Sequence, residues 1–421
     1  MKNFTLEEWI DWQCKLHPTN MDFNLSRVIE VAKKLKIDQP IPKVITVAGT
    51  NGKGSTVSIL ESILYESDYK VGSYTSPHLL NFNERIKIDK VPVKTNSICD
   101  AFESIEETRG NITLTYFEFS TLAALIIFSK SNLDVIILEV GLGGRLDAVN
   151  IIDPDISIIT NIGLDHTDIL GDDIEQIAYE KAGVMRKNKS TVIGYKNVHN
   201  SILAEGENIN SKISKIEEHY HAEARDDDSW VFENSDGIKI NCEHPGIKGD
   251  IQIKNAAAAI QAIHLCDGLE LNEKKVLIGL KNAKIIGRFQ IFETKPTVIL
   301  DVAHNPQSID ILKDNLNKYF PNKKFHAVFG VLKDKDVDEI LIKLKGVFDS
   351  WHISESTNER ALRITELKDK KFFTLEKPSI YDNINNAFDG AIENIKKEDE
   401  IIVVFGSSYT VAPILNKLIN E

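Results

Sequence analysis

Val44-Ile45-Thr46-Val47-Ala48 runs directly into Gly49-Thr50-Asn51-Gly52-Lys53-Gly54-Ser55-Thr56, and the reading of this stretch decides the fold. The first five residues are an apolar, β-branched run of the kind buried in a parallel sheet. The glycines that follow let backbone N–H groups curl around a phosphate. A helix opening at about Gly54 adds partial positive charge, and Lys53 adds a full one. A hydroxyl just beyond the lysine, Ser55 first, can ligate magnesium. The match to the general phosphate-loop pattern is imperfect, because Gly54 stands between the lysine and the hydroxyl residue. The ordinary alternative is a tight structural turn that contains a lysine.

Outward from this stretch the same alternation recurs. Asp134–Leu138 and Ile156–Thr160 read as further buried strands, and Val71–Thr75 as another. Residues 217–245 are more polar, with short alternating runs such as Trp230-Val231-Phe232, and read as a small β-rich excursion. A second α/β series begins near residue 290, with strands at Thr297–Leu300, Phe325–Phe329 and Ile401–Phe405. Helical patterns intervene at about 307–318, 336–346 and 380–396. The expected architecture is α/β with a mainly parallel sheet in residues 1–285 and a smaller Rossmann-like α/β domain in 290–421. The boundary falls near Lys284–Gln290, a short hinge with a site in the cleft.

Composition bounds the rest. A chain of 421 residues is long for one core, so two domains are expected. A formal net charge of -13 argues against a nucleic-acid or anionic-membrane surface. The longest apolar run, Leu122–Phe128, is far shorter than the roughly 20 residues of a membrane span. Met1–Glu8 lacks the apolar core of a signal peptide. Cys14, Cys99, Cys242 and Cys266 are scattered, which suits a reducing cytoplasm.

Other polar groups fall at strand ends, where ligands of open α/β sheets bind. Ser76 follows Val71–Thr75, Glu139 follows Asp134–Leu138, and His166 lies just past Ile156–Thr160. Each has an ordinary alternative: a turn hydroxyl for Ser76, a salt bridge to Arg145 for Glu139, a capping or buried histidine for His166. After Asp173, the stripe Ile174, Ile177, Ala178, Ala182 and Met185 leaves Lys181 on the inward face. A desolvated lysine there has a more neutral amine, able to act as a nucleophile or to form a carbamate. Alternatively its stem packs inward and the ammonium snorkels out. The second series contributes Asp301-Val302-Ala303-His304-Asn305-Pro306, Arg288 at the hinge, and Phe405-Gly406-Ser407-Ser408-Tyr409.

With these residues in order, the chain resembles the folylpolyglutamate and dihydrofolate synthases, relatives of the Mur-type ligases. The resemblance covers Gly49–Thr56, Thr75–Leu79, Leu114–Glu118, Glu139–Asn150, Leu164–Leu170, Glu180–Gly183, Gly287–Gln290, Asp301–Pro306 and Gly330–Asp336. It implies an ATP-dependent acid–amino-acid ligase that joins L-glutamate to dihydropteroate or tetrahydrofolate through an acyl phosphate. Gly49, Thr50, Asn51, Gly52, Lys53, Gly54, Ser55 and Thr56 would cradle ATP, with Asn255, Arg288 and Asp301 as further nucleotide contacts. Ser55, Ser76, Glu139 and His166 would bind magnesium, and Lys181 matches the lysine carbamylated in the family; potassium is a further candidate cation. Lys53, Lys181, His166 and Glu139 form the implied catalytic set. Met21, Asp22, Phe23, Thr115, Tyr116, Phe117, Glu118, Leu146, Asp147 and Ala148 correspond to pterin-substrate contacts. His304 and Ser407 resemble positions near the incoming glutamate. The resemblance also implies a cytoplasmic monomer.

The chain departs from many members at Ile251-Gln252, where they have His-Gln, and at Val149, where they have Thr. Val302 and Phe405-Gly406-Ser407 lie closer to the bifunctional bacterial type. A ligase acting on another carboxylate, a phosphate-loop kinase and a non-catalytic nucleotide-binding regulator are the competing readings. Coupling of ADP release to amide formation distinguishes them.

Overall fold

The computed structural model describes residues 4–19, 21–225 and 228–420. The chain forms two compact units. The first comprises residues up to Leu164, Leu170–Gly246 and Gln252–Lys284. The second comprises Asp165–Ile169, Ile247–Ile251 and Ile285 onward. Two short stretches from within the first 285 residues therefore belong to the second unit.

The first unit is built on an eight-stranded sheet. Its strands are β1 (Lys43–Ala48), β2 (Val71–Tyr74), β3 (Ile86–Ile88), β4 (Val91–Pro92), β5 (Val135–Glu139), β6 (Ile156–Ile159), β7 (Ser190–Ile193) and β8 (Lys212–Lys215). Their spatial order is β4-β3-β2-β5-β1-β6-β7-β8. The six strands from β2 to β8 in that order run parallel, and β3 and β4 add an antiparallel edge. β1, β5 and β6 are almost wholly buried, as their uninterrupted apolar runs require when helices cover both faces. Each fully buried Ile, Leu or Val contributes roughly 1.5–3 kcal/mol, so these three strands anchor the register of the sheet. Strand order reverses at β1, which puts a crevice at its carboxyl end. The excursion at 217–245 is a three-stranded antiparallel sheet of β9 (Tyr220–Ala224), β10 (Ser229–Asn234) and β11 (Lys239–Glu243), in order β11-β10-β9.

The second unit holds β12 (Gln290–Phe292), β13 (Thr297–Leu300), β14 (Phe325–Phe329), β15 (Ser350–Ser354), β16 (Ser379–Tyr381) and β17 (Ile401–Phe405). Their order is β12-β13-β17-β14-β15-β16, parallel except for β12. The core on one face includes Phe329, Phe348, Trp351 and Phe405.

Three expectations need correction. The helix expected at 380–396 is the strand β16 followed by a helix Ile384–Asn394, because Asn383 caps the helix with its side chain and starts it later. The helix expected at 336–346 is shorter, Val337–Lys343, and opens on the Asp336 cap. The helix after Asp173 ends at Ala182, so Met185 is buried beyond the helix and not on its stripe.

Candidate active site

The phosphate-type loop stands at the carboxyl end of β1 and opens the helix Lys53–Glu66. Two positions demand glycine. Gly49 has φ +144° and a Cβ there would run into Thr160 Oγ1; Gly52 has φ +84° and a Cβ would lie 2.9 Å from Asn255 Oδ1. Asn255 is thereby placed directly against the loop. The residues following β6 clamp it from the other side. Asn161 Oδ1 accepts the N–H groups of Thr50 and Asn51 at 3.2 and 2.8 Å. Thr160 Oγ1 donates to Asn51 O at 2.6 Å, and Thr50 Oγ1 donates to Gly163 O at 3.1 Å. Thr160 and Asn161 were not singled out in the sequence, because their partners lie about 110 positions away.

Lys53 folds back on the loop, donating through Nζ to Gly49 O at 3.0 Å and Thr50 O at 3.2 Å. Lys181, only 4 % exposed, donates to the same Gly49 oxygen at 3.1 Å. Its ammonium does not snorkel to solvent. Ser55 is buried in the first turn of the helix, and Thr56 Oγ1 bonds back to Gly52 O at 2.9 Å. The loop thus pairs two ammonium groups with a helix N-terminus, an arrangement suited to a polyphosphate.

Glu139 closes β5 and is buried, with Oε2 accepting the N–H of Ser76 at 3.1 Å. The two strand ends therefore meet. The alternative pairing of Glu139 with Arg145 is not adopted. Arg145 donates to Glu205 at 2.9 Å and its guanidinium stands 4.0 Å from the Tyr179 ring centroid. In the same loop the buried Asp147 accepts the N–H groups of Leu142 and Val149 at 2.9 and 3.0 Å. Burial pushes its carboxyl up to about 6, against the pull of those N–H groups and of Lys53. Leu146 beside it is exposed and Ala148 is buried.

Two other segments of the expected substrate face are joined by a residue the sequence did not reveal. Thr115 and Glu118 form a reciprocal capping box at the start of the helix Tyr116–Ser129. Arg27 donates to Glu118 Oε1 at 2.9 Å and to Asp22 Oδ2 at 2.7 Å. His17 adds Nε2 to Asp22 at 3.2 Å. Met21 and Phe23 flank Asp22 with exposed side chains. Phe117 lies 6.0 Å from Tyr74, ring to ring.

In the second unit Asp165 gathers donors. Lys335 Nζ approaches at 2.7 Å, Asn305 Nδ2 at 2.9 Å and His304 Nε2 at 3.5 Å. Burial alone would raise its carboxyl, but His304, Lys335 and His166 hold it far below the usual carboxylate range. The adjacent His166 has φ +53°. Burial, with Lys335 nearby, lowers its imidazole to about 4, so it is neutral at pH 7 and free to offer a lone pair. Asp301 accepts the N–H groups of Phe289 and Ala303 at 2.9 and 2.8 Å, fixing the Gly287–Gln290 turn that carries Arg288. Burial raises the Asp301 carboxyl, and Arg288 opposes that rise. His304 faces Val302 O through Nδ1 at 2.8 Å. Ser407 is buried and its hydroxyl is engaged with Thr410, at 2.8 Å to Oγ1 and 3.1 Å to N, as a cap of the helix Ser408–Asn420.

Among the described residues no group of three or more His, Cys, Asp or Glu side chains is placed to hold a metal ion. The first unit offers a hydroxyl residue, Ser76, and a carboxylate, Glu139, at the adjoining ends of β2 and β5. Such hard oxygen donors suit a magnesium-like cation that keeps waters and shares phosphate oxygens. Among the described residues no helix is long and apolar enough to cross a membrane.

Known proteins share this organisation. Residues 47–263 match the Mur ligase middle domain, and residues 287–408 match the Mur ligase glutamate ligase domain. The dihydrofolate synthase/folylpolyglutamate synthase of Buchnera aphidicola subsp. Acyrthosiphon pisum is 40% identical, covering 99% of this chain and 98% of that protein. The structure of Escherichia coli FolC in complex with DHPP and ADP superposes with a TM-score of 0.94 at 37% identity, covering 99% of this chain and 98% of that one. A bifunctional folylpolyglutamate synthase/dihydrofolate synthase with Mn, AMPPNP and L-glutamate bound gives 0.91 at 36% identity, over 99% and 98% of the two chains.

Proposed function

This chain belongs to the Mur ligase family, among the dihydrofolate synthase/folylpolyglutamate synthases, and from that premise we propose that it adds L-glutamate to dihydropteroate and to tetrahydrofolate at the expense of ATP. The observation that carries the reading is the convergence of Lys53 and Lys181 on Gly49 at the mouth of a helix.

The substrate carboxylate attacks the γ-phosphorus of ATP, releasing ADP and forming an acyl phosphate. The amine of glutamate then attacks the acyl carbon, giving the amide and phosphate. Little covalent chemistry falls to the protein in the first step, so positioning and charge neutralisation dominate. Lys53, lifted from the loop carbonyls by a better acceptor, neutralises the transferring phosphoryl group. Gly49–Thr56 cradle the phosphates, with Asn255, Arg288 and Asp301 as further nucleotide-binding residues. Ser55, Ser76, Glu139 and His166, with Lys181, would hold a divalent cation, which neutralises phosphate charge when bound. Addition of carbon dioxide to Lys181 would replace a cation with an anionic ligand; intact-mass measurement under native conditions tests this.

Residues 1–285 form the ATP- and pterin-binding part of this reading and 290–421 the glutamate-ligase part. Asp22, Thr115–Glu118 and Asp147 line the pterin side, and His304 and Ser407 serve the glutamate side. The enzyme is read as a cytoplasmic monomer.

The test is glutamate-dependent ADP release with each acid offered separately and products identified by mass. Turnover with both acids supports the bifunctional assignment, and turnover with one assigns a single activity. ADP release indifferent to glutamate overturns the ligase reading.

A further inference from the structure

The turn after β2 carries a cation that the reaction scheme above leaves unused. Arg85 ends the short 3-10 turn Phe82–Arg85, and its side chain is 6 % exposed. The guanidinium lies 5.5 Å from the ring centroid of Phe82 and 5.3 Å from that of Tyr116. Its Nε donates to His78 Nδ1 at 2.8 Å. Arginine Nε always carries its proton, so His78 accepts at Nδ1 and holds its own proton on Nε2. The neighbouring carboxylate, Glu84, is committed elsewhere, accepting the N–H groups of Leu79, Leu80 and Asn81 at 2.8, 2.9 and 2.7 Å. Among the described residues no carboxylate pairs with Arg85.

A guanidinium withdrawn from water is costly unless it is paired, and two ring faces with one imidazole satisfy only part of it. Its remaining fork is built for a planar anion. The surroundings say which anion. On one side Tyr116 and Phe117 begin the helix of the pterin face, and a Cβ on Gly141 would lie 2.5 Å from the Phe117 ring. On the other side Ser76, two positions before His78, is bonded to Glu139. In the ligase reading the planar anion that reaches this face is the substrate carboxylate that reacts with phosphate.

We infer that Arg85 binds the reacting carboxylate of the pteroate or folate substrate, with His78 setting the rotation of the guanidinium. This rests on the ligase reading above. The aromatic rings and His78 fix the fork before substrate arrives, and the fork screens the carboxylate from the anionic phosphate it must approach.

The experiment compares binding of dihydropteroate and of its neutral carboxamide to wild type, Arg85→Ala and Arg85→Lys, each loaded with a non-hydrolysable ATP analogue. Arg85→Ala should weaken the acid by about tenfold to a hundredfold, the loss of a charge-assisted hydrogen-bonded pair, and leave the carboxamide within about twofold. Arg85→Lys should fall between. Equal weakening of acid and carboxamide would make Arg85 a structural residue only and overturn the inference, as would unchanged binding of the acid. If Arg85→Ala does not fold, wild type decides: failure to prefer the acid over the carboxamide by at least about tenfold overturns it. Failure of the ligase reading is separate, since it appears as wild-type ADP release that ignores glutamate.

Discussion

Lys53 and Lys181, 128 positions apart in the sequence, donate to a single acceptor, the carbonyl oxygen of Gly49, at 3.0 and 3.1 Å. A neutral carbonyl oxygen is a modest acceptor for an ammonium group. An incoming polyphosphate is a much better one, so the pair is poised to exchange acceptors.

Replacing either lysine by methionine keeps most of the side-chain volume and removes the charge. Each variant should lose about a hundredfold to a thousandfold in kcat for ADP release, the usual cost of deleting one charge-stabilising donor. The double variant should lose little more than the worse single one, because groups acting as a unit are not additive. Additive losses would show that the two lysines act separately.

Gly52→Ala tests the loop backbone. The substitution forces a Cβ onto φ +84° and to within 2.9 Å of Asn255 Oδ1. Strain of this kind costs about 1–3 kcal/mol, so ADP affinity should fall by about tenfold to a hundredfold. A calorimetric titration with ADP measures this, and unchanged affinity would remove the loop from the nucleotide site.

Arg27→Ala should raise KM for the pterin acid while leaving ADP affinity unchanged, since Arg27 ties Asp22 to Glu118 and touches neither the loop nor its clamps. The substitution also strands the buried Glu118 carboxylate, so a fall of about 3 kcal/mol in stability is expected. Adding Glu118→Gln should recover part of the stability but not the KM. Recovery of both would confine Arg27 to a structural role.

How much of the candidate site is legible in the sequence follows from how local each signal is. Gly49–Thr56 was legible because strand, turn, charge and helix are contiguous, and Lys181 because an inward position in a helix has a fixed spacing. Glu139 stood out as a carboxylate at the end of an apolar run. Arg27, Asn161, Asp165 and Arg85 carry no such pattern. Arg27 meets Glu118 across 91 positions and Asp165 meets Lys335 across 170. Only the folded chain pairs them. The helix boundary at Asn383 was missed for the opposite reason, since a single side-chain cap outweighed a longer apolar period.

Acid should destabilise the second unit through His352. Its ring is fully buried in β15, with Nδ1 facing Tyr381 Oη at 3.0 Å and Nε2 facing Ser350 Oγ at 3.1 Å. Burial, with a smaller contribution from His326, lowers it from 6.5 to about 4. Below pH 6.5 the unfolded chain takes up a proton that the folded one refuses, so stability falls between about pH 6.5 and 4, by up to about 3 kcal/mol. Asp147 works in the other direction: its carboxyl is raised from 3.8 to about 6, so folding gains as pH falls across that window. Urea unfolding at pH 7 and pH 5 should therefore show a smaller change for His352→Gln than for wild type. An equal change would mean that the ring is protonated without penalty.

The second unit also draws Asp165–Ile169 and Ile247–Ile251 from the earlier part of the chain, and this bears on how the gene can be divided. A fragment begun at Ile285 would carry Lys335, 5 % exposed, without its closest counter-ion, leaving Asp334 at 3.4 Å as its remaining carboxylate. The helix cap at Asn305 would lose the same partner. The two halves are thus interleaved in the ribosomal order of synthesis. The carboxyl-terminal half is completed by residues made long before it, so neither recombination at one crossover nor expression in two pieces would inherit a finished fold.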